Sequence, residues 1–104
     1  MIQWVYMTAG SNEEAEKLAK NLVLEGLAAC VNVFPGVRSF YVWEGRAEEG
    51  AEVVLVAKTT KEMFEKLKAR VLELHSYDCP CILALDVSHG HGPFMEWIAS
   101  QARS

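Results

Sequence analysis

The run from Leu74 to Ile82, LHSYDCPCI, places an imidazole, a phenol, a carboxylate and two thiols side by side, at the point where a helical pattern ends. Thiolates are soft donors that suit copper(I) and zinc, and imidazole suits both metals. His75, Cys79 and Cys81 are therefore candidate ligands of an N/S metal site. Alternate residues of a regular strand face the same way, but Pro80 stands between the two thiols and can bend the chain there. A single Cys-x-Cys pair supplies two ligands where a closed zinc site needs about four, and no second cysteine pair exists.

A plainer reading competes at each position. Cys30 and Cys81 suit small buried hydrophobes, and His75 suits the carbonyl end of a helix. Cys79, beside Asp78 and outside the clear strand, is the thiol expected to be most accessible. His89-Gly90-His91-Gly92 could gather a divalent ion, although a solvated turn before Pro93 fits its composition better. A cysteine hydrolase would need nucleophile, base and oxyanion hole in mutual reach, and only Cys79 or Cys81 with His75 hints at this. No phosphate loop, dinucleotide glycine pattern or HExxH helix is present, so the chain reads as a protein other than an enzyme, with no organic cofactor.

These residues must be positioned by a small set of elements. Ile2 to Ala9 alternates as a strand with both faces largely apolar, which suits a central strand. Ser11 and Glu14 form a capping box, and Ala15, Leu18, Leu22 and Val23 recur at helical spacing until Gly26, predicting a helix at about 12–25. Ala28 to Trp43 is rich in β-branched and aromatic residues and predicts one long strand bent at Pro35-Gly36. Glu44 to Glu52, EGRAEEGAE, has the glycines and charges of an exposed connection, leading into a buried strand at Val53 to Lys58.

Thr59 and Glu62 read as a second capping box for a helix carrying Phe64, Leu67, Val71 and Leu74. Cys81 to Val87 reads as a fourth strand, and Pro93 opens a short terminal helix with Phe94, Trp97 and Ile98. The order βαββαβ with an added helix predicts an α+β, ferredoxin-like sandwich over the single domain 1–104, an antiparallel sheet with helices on one face. Glu44 and Lys58 fall at the ends of neighbouring strands in this scheme, where they could form a surface ion pair or share a pocket with Tyr77.

Hydrophobic residues make up 51% of 104 residues, rich for a chain whose folding buries about two-thirds of its surface. Part of that surface, the open sheet face above all, is expected to pack against other copies. The net charge of −4 argues against a nucleic-acid partner. No run approaches the roughly 18 apolar residues of a membrane span, and the opening MIQWVYM lacks the features of a leader, so a cytoplasmic location with reduced thiols is expected.

The elements LAACVNVFPGVRSFYVWEG, VAKTT, LHSYDCPCI and MEWI occur in an order that resembles the CutA divalent-cation tolerance family, from about Trp4 to Ile98. The resemblance implies a homotrimer whose long strands cross between subunits, with an architecture similar to PII signalling proteins. It also implies a part in tolerance of copper and other divalent cations, without an agreed reaction. Carried onto matching positions, it implies pocket residues Cys30, Trp43, Glu44, Lys58, His75 and Tyr77, with Trp97 closing the terminal helix, and adds Cys30 to Cys79, Cys81 and His75 as a metal donor. Two positions depart from the family pattern: Ser76 stands for a proline, and Cys81 for a glutamate. A sulfur in place of a hard oxygen favours soft copper(I) over magnesium or calcium. The expectation is a homotrimer that binds copper or another transition metal; the alternative is a PII-like scaffold that binds a small anion or a protein partner in clefts between subunits.

Overall fold

In a computed structural model, which describes residues 1–103, the elements run β1 (Ile2–Ala9), α1 (Asn12–Leu24), β2 (Cys30–Trp43), β3 (Arg46–Thr60), α2 (Phe64–Leu74), β4 (Ile82–Asp86) and α3 (Gly92–Gln101). The four strands form one antiparallel sheet in the order β2-β3-β1-β4, with β1 central as its two apolar faces predict. One sheet face packs on the helices. Val5, Met7, Leu55 and Ala57 from the sheet meet Leu18 and Leu22 of α1 and Leu67 and Val71 of α2, all essentially inaccessible to solvent.

The helix ends follow their sequence signals. Ser11 caps α1, its Oγ accepting the Glu14 N–H at 3.1 Å. Gly26, at φ +73°, closes it with bonds from its own N–H to Val23 and from Leu27 N–H to Leu22, a Schellman arrangement. Pro93 sits in the first turn of α3, where its missing donor costs nothing. That helix is anchored by Ile98, whereas Trp97 is 43% exposed and stacks on Phe94 at 5.7 Å, so Trp97 does not close the helix onto this chain's core.

Two expectations are corrected. Glu44 to Glu52 is not a loop: the turn is Glu44-Gly45 alone, at φ 51° and 77°, and Arg46 already pairs with Trp43. Two left-handed residues in succession match the right-handed twist of a hairpin, and the charged residues that follow are accommodated because they lie on a solvent-exposed arm. Nor do Thr59 and Glu62 form a capping box. Thr59 lies buried within β3, its hydroxyl donating to the Leu27 carbonyl at 2.7 Å, and a 3-10 turn at Lys61–Met63 leads into α2. The demand of a buried carbonyl has taken the hydroxyl a helix cap would use.

The β2–β3 register breaks between Phe34 and Val37, where Pro35 and Gly36, the latter at φ 76°, form the predicted bend. Beyond it β3 has already left β1, which pairs only with Val53 to Thr60. Residues 37–43 and 46–52 therefore make a two-stranded arm, roughly 20 Å long at about 3.3 Å per residue, projecting from the sheet. It stretches the molecule to 46 × 26 × 22 Å.

Candidate functional site

At the root of this arm lies a cavity of about 1020 Å³, between the hairpin and the segment that links α2 to β4. Thr8 at the end of β1, Glu52 where the arm meets the sheet, and Tyr77, Asp78, Cys79 and Cys81 of the linking segment all border it. Trp43, 62% exposed, borders it from the arm.

His75 organises the linking segment. Its side chain is fully buried, with Nε2 at 2.7 Å from the Thr8 carbonyl and Nδ1 accepting the Tyr77 N–H at 3.0 Å. The carbonyl can only accept, so Nε2 carries the proton and donates. Both ring nitrogens are thereby engaged, and a metal would have to displace one of these bonds. The backbone N–H of His75 closes α2 by bonding Val71, so the residue ends the helix through its main chain while its imidazole braces the cavity wall.

Glu14 braces the same segment from α1. Its carboxylate accepts the Gly10 N–H at 3.1 Å and the Ser76 N–H at 2.7 Å, and lies 3.8 Å from His75 Nδ1. Burial alone would raise its pKa, but the hydrogen bonds from Ser76 and Gly10 outweigh that and hold it below the ordinary carboxylate value.

On the cavity side, Glu52 accepts from Ser39 Oγ at 2.6 Å and from Tyr77 Oη at 3.1 Å. Burial and then Glu52 push the Tyr77 hydroxyl up, so it remains a donor. The same two causes, in the same order, raise Cys81. Cys81 is half-buried and Cys79 exposed, as their neighbours in sequence predict.

Cys30 and Lys58 lie elsewhere. They are directly paired across β2 and β3 outside the cavity, where Lys58 Nζ contacts Cys30 Sγ at 3.6 Å and donates to Asn32 Oδ1. The expected pairing of Glu44 with Lys58 is not made: Glu44 is in the tip of the hairpin and Lys58 at its opposite end. At about 3.3 Å per residue the two are roughly 40 Å apart. Reading 44–52 as a loop had hidden that length. Among the described residues, no group of three or more His, Cys, Asp or Glu side chains is arranged to hold a metal within one chain.

Several residues that shape the site were not singled out from sequence: Thr8, Glu14, Ser39 and Glu52. Continuing the strand alternation through AEEGAE would have put Glu52 on the same face as Ser39 and Tyr41. The role of Glu14 was hidden by the helix cap, which gave it a purely local task.

Strand order, crossover helices and added C-terminal helix define a ferredoxin-like α+β domain with a cavity at the root of a long hairpin arm. Residues 3–101 match the model of the family described as CutA1 divalent ion tolerance protein, and the chain belongs to that family. It is 44% identical over 98 residues to a divalent-cation tolerance protein CutA of Archaeoglobus fulgidus, covering 94% of this chain and 95% of the relative. A solved divalent cation tolerance protein from Thermus thermophilus superposes with a TM-score of 0.96 at 43% identity, covering 99% of this chain and all of that one. The chloroplastic protein CutA of Arabidopsis thaliana is 39% identical over 96% of this chain, which spans about 55% of that relative's length. No helix among the described residues is long and apolar enough to cross a membrane.

Proposed function

We propose that this member of the divalent ion tolerance family acts by binding a transition metal ion, copper(I) foremost, through the thiolates of Cys79 and Cys81. The observation that carries this reading is that Cys79 and Cys81 border one cavity, which Glu52 and Asp78 also line. Copper(I) is soft and accepts as few as two sulfur donors, whereas a closed zinc site needs about four, more than one chain brings together here. His75 serves as the brace that holds the segment rather than as a ligand. Cys30, away from the cavity, is left out of the site.

The working form is a homotrimer. Trp4, Phe34, Leu83 and Leu85 leave large apolar side chains exposed on the sheet face opposite the helices, and a two-stranded arm is only marginally stable without cover. Identical copies can bury both features in a closed assembly. The thiols favour a reducing compartment, and the cytoplasm is the assignment made here; the Arabidopsis relative is described as chloroplastic and a solved Archaeoglobus fulgidus relative as periplasmic. A role other than catalysis fits a Cys81 thiol whose pKa is raised and a His75 whose ring nitrogens are already committed.

The test is a copper(I) competition titration of the reduced protein against a Cys79→Ser, Cys81→Ser double variant, with assembly checked by light scattering. The expected result is one copper per chain in the parent protein and loss of tight binding in the variant. Unchanged binding in a correctly assembled variant would remove these ligands. The small-anion reading loses its support in a single chain, because Lys58 lies outside the cavity and the charged residues bordering it, Glu48, Glu52 and Asp78, are all acidic.

A further inference from the structure

We propose that Glu14 is the positioning residue of the cysteine-bearing segment: by accepting the Ser76 N–H it fixes how Cys79 and Cys81 are presented, a task that a proline at position 76 would make redundant. This role deepens the metal reading above and rests on it for the copper readout alone.

The segment hangs between two points of regular structure. On one side the His75 N–H closes α2 by bonding Val71, and on the other β4 begins with Ile82 opposite Met7. Between them the first two amides turn to side chains. Ser76 N–H donates to Glu14 at 2.7 Å, and Tyr77 N–H donates to His75 Nδ1 at 3.0 Å. The His75 ring is anchored on Thr8, so its bond ties the segment to β1, and the Glu14 bond ties it to α1. Cys79 and Cys81 follow within five residues of Ser76, so a rotation of the chain there carries both thiols with it.

The start of α1 orients Glu14 for this task. Its main-chain N–H donates to Ser11 Oγ, and one carboxylate oxygen accepts the Gly10 N–H at 3.1 Å, which leaves the other directed at Ser76. Its pKa stays low in spite of burial, so the acceptor is an ionised carboxylate, whose hydrogen bonds are roughly twice as strong as neutral ones.

Ser76 supplies its donor only because it is not a proline. The local backbone would accept one: His75, at φ −77° and ψ 143°, already has the extended conformation required before proline, and Ser76 is exposed. A proline would fix φ at about −65° and remove the N–H, so the ring would hold the segment and Glu14 would have nothing to accept there. Serine leaves the backbone freer and passes the task to a carboxylate 62 positions away in sequence.

The experiment is a double-mutant cycle on the intact assembled protein, reading amide hydrogen exchange across 77–82 by mass spectrometry and copper(I) affinity by competition titration. Glu14→Gln in the parent background is expected to speed exchange there and weaken copper(I) binding, each about tenfold, as loss of a hydrogen bond to a charged group implies, while the β1 amides exchange as before. In the Ser76→Pro background the same substitution should change either quantity by no more than about twofold, whereas Ser76→Ala, which keeps the N–H, should behave as the parent. Should Glu14→Gln not fold, Glu14→Asp, too short to reach both amides, is expected to show the same contrast. Equal effects of the Glu14 substitution in the parent and Ser76→Pro backgrounds, or unchanged exchange in the parent background, would overturn the proposal. A parent protein that takes up no copper but shows the exchange contrast would end the metal reading and uphold this one, so the two failures are distinguishable.

Discussion

Single side chains in the linking segment do different work from the work their chemistry first implies. His75 has the right donor for a metal, yet its ring nitrogens satisfy a carbonyl of β1 and an amide of its own segment. His75→Ala strands both groups and should lower stability by about 2 kcal/mol in denaturant unfolding, while His75→Gln recovers part of the loss. A ligand role would instead show as lost copper affinity at unchanged stability. Glu14 makes the segment sensitive to acid. Its folded pKa lies below the unfolded value of about 4.3, so its contribution is present above that value and is lost as pH falls through the folded pKa. The stability advantage of the parent protein over Glu14→Gln should therefore shrink as pH falls below the ordinary glutamate value and vanish once the folded carboxylate is protonated, in pH-dependent melting curves. Cys81 behaves in the opposite sense. Burial and Glu52 raise its pKa, so Cys79 should alkylate before Cys81 at neutral pH, and Glu52→Gln should speed the modification of Cys81. Copper(I) uptake must displace the Cys81 proton, so affinity should rise with pH through the neutral range.

At the scale of elements, the junctions carry more information than the interiors. Gly26 both closes α1 and lets the C-terminal strap pass, since a Cβ there would lie 2.4 Å from the Arg103 carbonyl oxygen. Gly26→Ala should cost about 1–2 kcal/mol or more, through its left-handed backbone and this clash, measurable by thermal unfolding. A neutral outcome would mean that the strap is not held there. Element order, the central place of β1, the bend at Pro35-Gly36 and the cap at Ser11 were all legible in the sequence, because periodicity and turn chemistry act locally. The arm was not. EGRAEEGAE has a loop's composition, and only pairing with a partner strand makes it β structure. Thr59 was misread for a related reason, its hydroxyl being claimed by Leu27, distant in sequence. The candidate site was legible only in part: Tyr77, Cys79, Cys81 and Trp43 do meet at one cavity, but Glu52 and Ser39 reach it through the unread arm, and Lys58 and Cys30 face another part of the sheet.

For the whole molecule, the apolar sheet face and the projecting arm are what one chain leaves unfinished. Leu83 is 61% exposed, and in an isolated chain Leu83→Asp would be close to neutral. If identical copies cover that face, the same substitution should reduce the particle mass by light scattering from three times the 11.6 kDa chain mass to one. A parent protein that is already monomeric would contradict the assembly proposed here. The central claim, however, concerns the two thiols at the cavity. The measurement that tests it most directly is the copper K-edge X-ray absorption spectrum of the reduced, copper(I)-loaded protein. Two sulfur scatterers per copper are predicted, disappearing in the Cys79→Ser, Cys81→Ser variant; a first shell of nitrogen and oxygen alone would contradict it.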